Sequence, residues 1–210
     1  MDWLLSEYRE KRRAIEGRLR EFRDVWRRRE PREVFREFVF CLLTPQSRAR
    51  VCWEAVERMD RSGALWEGSP EEVARDLHGV RFKNHKARYI VEARERFWKD
   101  GEFSLVRVLG EMSPQEARDY LVRNVRGMGM KEASHFLRNI GLGENLAILD
   151  RHILKNLLRL GVIDELPRSL GRKTYLEIEE RMRKFSRKSG IPLSHLDLLF
   201  WAREAGEIFK

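Results

Sequence analysis

Apolar residues recur at helical spacing along almost the whole chain. Steps of three, four and seven residues place them on one face of a long first helix, and two further stripes follow. The first stripe contains Leu4, Tyr8, Ile15, Leu19, Phe22 and Trp26, the second Phe35, Phe38, Val39 and Leu42, and the third Val51, Cys52, Ala55, Val56 and Met59. No segment alternates apolar and polar residues long enough to predict a strand. The pattern therefore predicts an all-α fold with about ten helices.

Several helix boundaries are also marked in the sequence. Ser69–Glu72 and Ser113–Glu116 each combine a serine N-cap, a proline at the first helical position and a glutamate three residues after the cap. Thr174–Glu177 has the same capping-box spacing without the proline. Helix ends are indicated by three glycines that follow helical runs and suit a left-handed C-cap, namely Gly161, Gly190 and Gly206.

The composition excludes several classes of protein. A chain of 210 residues with 42% hydrophobic residues is large and apolar enough to bury a core, so we expect a folded protein despite its 37% charged residues. No apolar run approaches the roughly 18 residues of a membrane span, and the first residues lack the apolar core of a signal peptide. Two cysteines cannot supply a four-cysteine metal site. We therefore expect a reduced, cytoplasmic protein.

The net charge of +9 suggests a polyanionic partner. Lys and Arg together number 43 against 34 Asp and Glu, and much of the excess is arginine, whose planar fork suits phosphate. Nucleic acid is the first candidate for such a partner. The alternative is a salt-bridged surface of the kind found in thermophiles, because charges of both signs are interspersed along every segment. Charge alone leaves both interpretations open.

The most glycine-dense region, Gly127–Gly143, indicates a candidate anion site. Residues Tyr120–Val125 end one predicted helix, Gly127-Met128-Gly129 forms a tight turn, and a second predicted helix opens around Lys131. Two glycines at this spacing allow a sharp turn that exposes backbone N–H groups at a helix N-terminus, which suits a DNA phosphate. An ordinary glycine-capped helix–turn–helix would have the same pattern.

A second motif, around Asp150, narrows the possible function of this turn. Asp150 ends the apolar run Leu146–Leu149, directly before another predicted helix, and this order predicts a buried N-cap beside a cleft. Together with Gly127–Lys131, this spacing resembles the helix-hairpin-helix DNA glycosylase superfamily, whose hairpin is followed by an apolar stretch that ends in the catalytic aspartate. Arg126 departs from the pattern, because many members have proline there.

Within that superfamily the chain is similar to the archaeal-type 8-oxoguanine DNA glycosylase/AP lyase family. Further segments carry the resemblance over nearly the whole chain, namely Leu42–Ser47, Val80–Ile90, Asp197–Trp201 and Phe209-Lys210. The resemblance implies a two-lobed fold with the active site in the cleft between the lobes. A central six-helix lobe would span residues 31–136, and residues 1–30 and 137–210 would form the second lobe. We expect a monomeric protein that acts on duplex DNA containing oxidised guanine. Its expected location is a prokaryotic cytoplasm.

The resemblance implies a catalytic pair. Cleavage of an N-glycosidic bond builds positive charge at C1′ of the sugar, which a nearby carboxylate stabilises. That role falls to Asp150. The amine of Lys131 would attack C1′ and form a Schiff base, which permits β-elimination of the 3′ phosphate. Taken singly, a solvated lysine and a structural N-cap would be the ordinary interpretations of these two residues.

Further site residues follow from the same resemblance, because a base inside a duplex must be flipped out before it can be cleaved. Base recognition is expected from Phe82 and Trp201 as stacking partners, with Asp197 as an acceptor and Lys210 helping to discriminate the lesion. DNA binding is expected from Gln46, which would insert into the duplex, and from Gly127, Gly129, Met130 and His152. We expect no cofactor and no metal, since His78, His85, His135 and His195 lack metal-ligand spacing.

Two other functions stay open on the sequence alone. The first is a glycosylase of the same superfamily that acts on another damaged or mismatched base, which residues of the base pocket would distinguish. The second is a non-catalytic helix-hairpin-helix DNA-binding module, for which Lys131 would be dispensable.

Overall fold

A computed structural model describes residues 2–99 and 101–210 of the chain. Within these ranges the protein is built from twelve helices and one very short hairpin, which confirms the all-α prediction. The helices are α1 (Asp2–Arg28), α2 (Pro31–Leu43), α3 (Ala49–Ser62), α4 (Ala64–Glu67), α5 (Pro70–Asp76), α6 (Lys83–Phe97), α7 (Leu105–Gly110), α8 (Pro114–Asn124), α9 (Met130–Asn139), α10 (Arg151–Arg159), α11 (Arg172–Ser189) and α12 (Leu193–Ala205).

The hairpin was not predicted from the sequence. Strands β1 (Trp98–Lys99) and β2 (Glu102–Phe103) pair antiparallel, with Trp98 opposite Phe103. The two rings stack at 5.8 Å between centroids, and Phe103 is 1% exposed. Two residues per strand are too few for any alternating pattern, so packing of these rings against the core explains a strand that periodicity could not indicate.

Two of the three predicted capping boxes are confirmed. Ser69 accepts a hydrogen bond from the N–H of Glu72, whose carboxylate accepts from the Ser69 N–H at 2.8 Å, and Ser113 forms the same pair with Glu116. The third prediction is wrong, because α11 begins at Arg172 with Gly171 as its N-cap.

The early start of α11 coincides with a tertiary contact. Arg172 forms a salt bridge with Asp119 of α8, with Nη2 donating to Oδ2 at 2.7 Å. Gly171 before it adopts the extended backbone that an N-cap requires. Thr174 therefore lies inside the first helical turn, and its capping-box spacing has no structural counterpart.

Buried apolar residues form two separate clusters. The first draws on all helices from α2 to α9 and includes Val25 near the end of α1. The second combines the earlier part of α1, from Leu4 to Phe22, with α10, α11 and α12. Helix α1 thus contributes to both clusters. Met130, at the start of α9, belongs to the second cluster although most of that helix packs in the first.

Across the described residues, no helix combines the length and the apolar character needed to cross a bilayer.

Candidate functional site

The turn between α8 and α9 has the geometry of a tight hairpin. Gly127 has a φ of +83°, and a Cβ there would lie 2.3 Å from Cδ2 of Tyr89, so no larger residue fits without moving that ring. The N–H of Gly129 donates to Oε2 of Glu132 at 3.2 Å, which ties the turn to the first turn of α9. The predicted tight turn at an N-terminus is therefore present, and Tyr89 is its support from α6.

Arg126, where the chain departs from the superfamily pattern, is also packed onto this support. Its guanidinium lies 5.3 Å from the centre of the Tyr89 ring and forms a salt bridge of 3.1 Å with Glu92. The hairpin is thus held against α6 by contacts that proline could not make.

Lys131 lies in the first turn of α9 and points toward the loop after α2. Its Nζ donates a hydrogen bond to Oγ1 of Thr44 at 3.1 Å and lies 3.6 Å from Oε1 of Glu132. The side chain is about one-fifth exposed, so it is neither a solvated lysine nor a fully buried one. Thr44 is separated from Lys131 by 87 residues in sequence, and only the fold brings them together.

Asp150 is the N-cap of α10, as predicted, but it is half-buried rather than buried. Its Oδ1 accepts from the N–H groups of His152 and Ile153, both at 2.8 Å. Because both capping bonds use Oδ1, the second carboxylate oxygen takes no part in the cap. The carboxylate therefore holds a fixed direction while one oxygen stays available for another interaction.

The segment before Asp150 is clamped by α11. The Tyr175 hydroxyl donates to the carbonyl of Ala147 at 2.6 Å and accepts from the N–H of Leu149 at 3.3 Å. The N–H of Ala147 donates to Glu179, which also forms a buried salt bridge with Arg118 at 2.7 Å. These contacts fix the main chain that leads into the aspartate.

Lys131 and Asp150 line the same cleft, which has a volume of about 1050 Å³. Its walls include residues of the α2–α3 loop, α9, the Asp150 cap and α12. Seven cationic residues line it, Arg48, Arg50, Arg81, Lys131, Arg138, Arg151 and Lys210, against four acidic ones, Glu132, Asp150, Asp197 and Glu207. A cleft with this excess of positive charge suits a phosphate backbone.

Asp197 lies deep in the cleft, 5% exposed, and pairs with Arg138 at 3.1 Å. Burial raises the pKa of its carboxyl to about 6, against the opposing effect of Arg138. At neutral pH the group is thus mostly ionised and accepts hydrogen bonds only.

The two residues predicted to stack on a base occupy different places. Trp201, on α12, is partly exposed and lines the cleft. Phe82 precedes α6 with a φ of +58° and is 53% exposed, and it is not part of the cleft wall. Its ring instead lies 5.6 Å from the guanidinium of Arg81, which does line the cleft. Of the two predicted stacking residues, only Trp201 therefore belongs to the cleft wall.

Gln46 is exposed on the α2–α3 loop and has a left-handed φ of +54°. Lys86 holds this strained loop from the protein interior. It is 4% exposed and donates to the carbonyls of Leu43 and Pro45 at 2.7 Å each. Burial lowers the pKa of Lys86 to about 8. The loop that carries Gln46 is thus a fixed feature of the cleft rim.

Lys210 lines the cleft, but its ammonium is already engaged. It pairs with the Glu37 carboxylate and lies 3.5 Å from the centre of a Trp53 ring. The side chain, 11% exposed, therefore ties the C-terminal segment to α2 and α3.

The remaining predicted DNA contacts differ in accessibility. His152 lines the cleft in the first turn of α10 and is partly exposed, with its Nδ1 4.0 Å from Oε2 of Glu204. The Met130 side chain is 9% exposed and packs in the second apolar cluster. A DNA contact at Met130 would therefore have to come from its main-chain N–H.

Sequence reasoning missed the residues that support the site from distant segments. Thr44 and Lys86 lie inside motifs that carried the family resemblance, so those motifs were the available signal for them. Tyr175 and Glu179 looked like ordinary helix residues, and no local pattern indicated their contacts. Among the described residues, no group of three or more His, Cys, Asp or Glu is placed to hold a metal.

A family model described as 8-oxoguanine DNA glycosylase matches residues 15–191 of this chain. The chain belongs to this glycosylase family. A relative named 8-oxoguanine DNA glycosylase/AP lyase from Fusobacterium nucleatum is 47% identical over 204 residues, covering 97% of this chain and 94% of the relative. An archaeal relative of the same name from Korarchaeum cryptofilum is 40% identical over 95% of this chain and 91% of its own. The predicted resemblance to an archaeal-type family is thus confirmed.

Solved structures of glycosylases share the same architecture. The Methanocaldococcus jannaschii 8-oxoguanine glycosylase/lyase, in complex with a 15mer DNA containing 8-oxoguanine, superposes with a TM-score of 0.88 at 33% identity and covers all of both chains. The 8-oxoguanine DNA glycosylase of Thermotoga maritima gives a TM-score of 0.87 at 34% identity, over 100% of this chain and 97% of its own. The fold of this glycosylase is therefore that of enzymes acting on oxidised guanine.

Proposed function

We propose that this glycosylase excises 8-oxoguanine from duplex DNA and then cleaves the abasic site, with Lys131 as nucleophile. The observation that carries the proposal is that Lys131 and Asp150, from separate segments, line one cationic cleft. The test is release of the base from a labelled duplex carrying 8-oxoguanine, compared with the same duplex carrying guanine. Release of guanine at an equal rate would contradict the proposed substrate.

The chemistry proceeds in two steps. The amine form of Lys131 attacks C1′, and the N-glycosidic bond breaks so that the base leaves with the electron pair and takes up the proton that the newly bonded nitrogen releases. Opening of the sugar ring gives an imine between Nζ and C1′. Loss of a proton from C2′ then expels the 3′ phosphate, and hydrolysis of the imine frees the enzyme. Thr44, which accepts a hydrogen bond from Nζ, orients the amine before attack.

Asp150 stabilises the positive charge that develops on the sugar. Its direction is set by the two capping bonds through Oδ1, and the clamp from Tyr175 fixes the main chain before it. A carboxylate that is already oriented toward the developing charge, and does not have to move during the reaction, lowers the barrier most effectively. We assign Asp150 this electrostatic role.

We assign base recognition to Asp197, Trp201, Phe82 and Lys210. Asp197 offers an ionised acceptor for the N1–H or N2–H of the purine, and Trp201 offers a face for stacking, worth about 1–3 kcal/mol per base. Phe82 lies outside the cleft wall, so it would reach the base only with the DNA in place. Gln46 on the exposed loop would fill the space that the base leaves.

The DNA backbone would run across the hairpin and the first turn of α10. Main-chain N–H groups at Gly127 and Met130 suit one phosphate, which the Gly129 N–H would join by exchanging Glu132 for the phosphate, and His152 suits another. We propose a central lobe of residues 31–136 and a second lobe of residues 1–30 and 137–210. The two apolar clusters support this division. We also propose that the protein is a monomer and that it acts in the cytoplasm of a prokaryote.

Binding should weaken steeply with salt. Each phosphate neutralised by Arg or Lys releases counterions, so log affinity should fall linearly with log salt at ~0.9 per phosphate. Fluorescence anisotropy with an undamaged duplex at several salt concentrations measures the slope. A flat dependence would contradict the assignment of the cationic cleft to DNA, and would favour a surface whose charges only pair with one another.

Replacing Lys210 with methionine should impair recognition of the lesion more than chemistry. The change keeps the side-chain stem but leaves buried Glu37 without its cation, which should shift the C-terminal segment out of the cleft wall. We expect 8-oxoguanine excision to fall about tenfold, as for a buried polar group left unpaired, whereas cleavage of a pre-formed abasic site changes little.

The matched control is Lys188→Met, at an exposed lysine of α11 outside the cleft. It should leave both activities near the wild-type level. Equal losses of excision and abasic-site cleavage in Lys210→Met, or no loss of either, would refute the recognition role.

A further inference from the structure

His135 occupies a place in the cleft wall that the proposed function does not use. It follows Lys131 by four residues on α9, so the two side chains lie on the same helix face. The residue lines the cleft and is only 6% exposed. It therefore belongs to the deep part of the cleft, next to the proposed nucleophile.

Both ring nitrogens of His135 lack a hydrogen-bond partner in acceptable geometry. The main packing contact of the ring is apolar, edge-on to Phe40 of α2 at 5.5 Å between centroids. Buried polar atoms are almost always paired, because leaving them unpaired costs free energy. An imidazole in the cleft wall whose buried nitrogens have at most a poorly aligned contact with the Lys210 main chain is thus explained if a ligand in the cleft completes its hydrogen bonds.

The surroundings keep this imidazole neutral. Burial lowers the pKa of His135 well below its usual value, and the nearby charges of Arg138, Lys131 and Lys210 act in the same direction. A main-chain contact with Lys210 opposes the shift but is outweighed. A neutral imidazole presents one N–H donor and one acceptor nitrogen, whereas the nearby cations only donate and the carboxylates of the cleft only accept.

We propose that His135 is a specificity-determining residue that hydrogen-bonds the polar edge of the flipped base. The inference rests on the proposed function, which places that base in this cleft. A phosphate offers only acceptors and is better served by the surrounding cations, whereas a purine edge offers both donors and acceptors. 8-Oxoguanine differs from guanine in carrying N7–H, a donor, beside the acceptor O8. One ring N–H of His135 is directed to the Lys210 main chain, so the other, unprotonated nitrogen accepts from N7–H of the oxidised edge and would meet the lone pair of N7 in guanine.

The test compares His135→Phe, which keeps a planar ring without hydrogen bonds, with His135→Gln, which keeps a donor and an acceptor. Single-turnover rates are measured for 8-oxoguanine excision and for cleavage of a pre-formed abasic site. The Phe variant should lose about tenfold or more in excision and little in abasic-site cleavage. The Gln variant should recover part of the excision rate.

Two controls separate this role from a structural one. His78→Gln, at an exposed histidine outside the cleft wall, should leave both rates unchanged. The ratio of wild-type to His135→Gln excision rates should also stay constant from about pH 7 to 9, because burial lowers the pKa of His135 below its usual value and the imidazole stays neutral over that range.

The outcomes are distinguishable. Equal losses of excision and abasic-site cleavage in both variants would overturn the proposal, because His135 would then support the fold or the chemistry rather than the base. Unchanged excision in His135→Phe would also overturn it. Failure of the wild-type protein to cleave abasic sites would instead contradict the proposed function. If His135→Phe does not fold, a selective loss of excision in His135→Gln supports the proposal, and wild-type rates in that variant overturn it.

Discussion

Replacing Lys131 with glutamine is expected to abolish both base release and strand cleavage, because no amine remains to attack C1′. Glutamine keeps a polar side chain beside Thr44, so the helix start and the cleft should persist. Time courses on a duplex with 8-oxoguanine and on one with an abasic site measure the two activities. Both should fall to the level of the uncatalysed reaction.

The matched control is Lys188→Gln, which removes an exposed lysine outside the cleft and should leave both activities intact. Base release that persists in Lys131→Gln would show that water, rather than the lysine, attacks the sugar. Retained strand cleavage would place the Schiff base on another amine. Either result would contradict the assigned role.

Asp150→Asn should slow base release by about 10²- to 10³-fold, the range typical of removing one preorganised electrostatic contact. Asparagine caps helices as well as aspartate does, so the start of α10 should be kept. Affinity for lesion DNA should change little, because the charge is needed mainly in the transition state. Single-turnover kinetics and a binding isotherm measure the two quantities.

A comparison with Asp150→Ala separates the charge of Asp150 from its capping role. Alanine removes both, so it should also lower the free energy of unfolding by about 1 kcal/mol, whereas asparagine should not. If Asp150→Asn loses binding in step with turnover, the carboxylate acts in the ground state and the proposed electrostatic role is wrong.

The parts of the site that the sequence predicted correctly are those with local signals. The tight turn at Gly127 follows from glycine spacing, and the cap at Asp150 follows from an acid between an apolar run and a helix. Ser69 and Ser113 were predicted for the same reason. Each of these features is decided within a few residues, where backbone geometry and side-chain capping dominate.

The features that the sequence did not predict depend on distant contacts. Thr44 meets Lys131 only because α2 packs against α9, and Tyr175 reaches Ala147 from a helix that begins 22 residues after Asp150. Thr174 shows the converse, because its local capping signal is not used: α11 starts earlier, at Arg172, which pairs with Asp119. Side-chain spacing along the chain carries no information about such pairs.

Phe82 shows the limit of reasoning from a motif. The segment around it carries the family resemblance, yet the ring lies outside the cleft wall and is half exposed. A motif fixes the position of a residue in the chain, while its distance from the base depends on the DNA-bound geometry. The two roles assigned to Phe82 and Trp201 are therefore best tested separately.

Borohydride trapping on duplex DNA containing 8-oxoguanine tests the central claim most directly. Reduction of an imine between Nζ of Lys131 and C1′ would leave a stable covalent adduct with the protein. This adduct is expected with the wild-type chain and with Lys188→Gln, and it should be absent with Lys131→Gln. An adduct that persists in Lys131→Gln, or that never forms with a wild-type protein that releases the base, would contradict the assignment of Lys131 as the nucleophile.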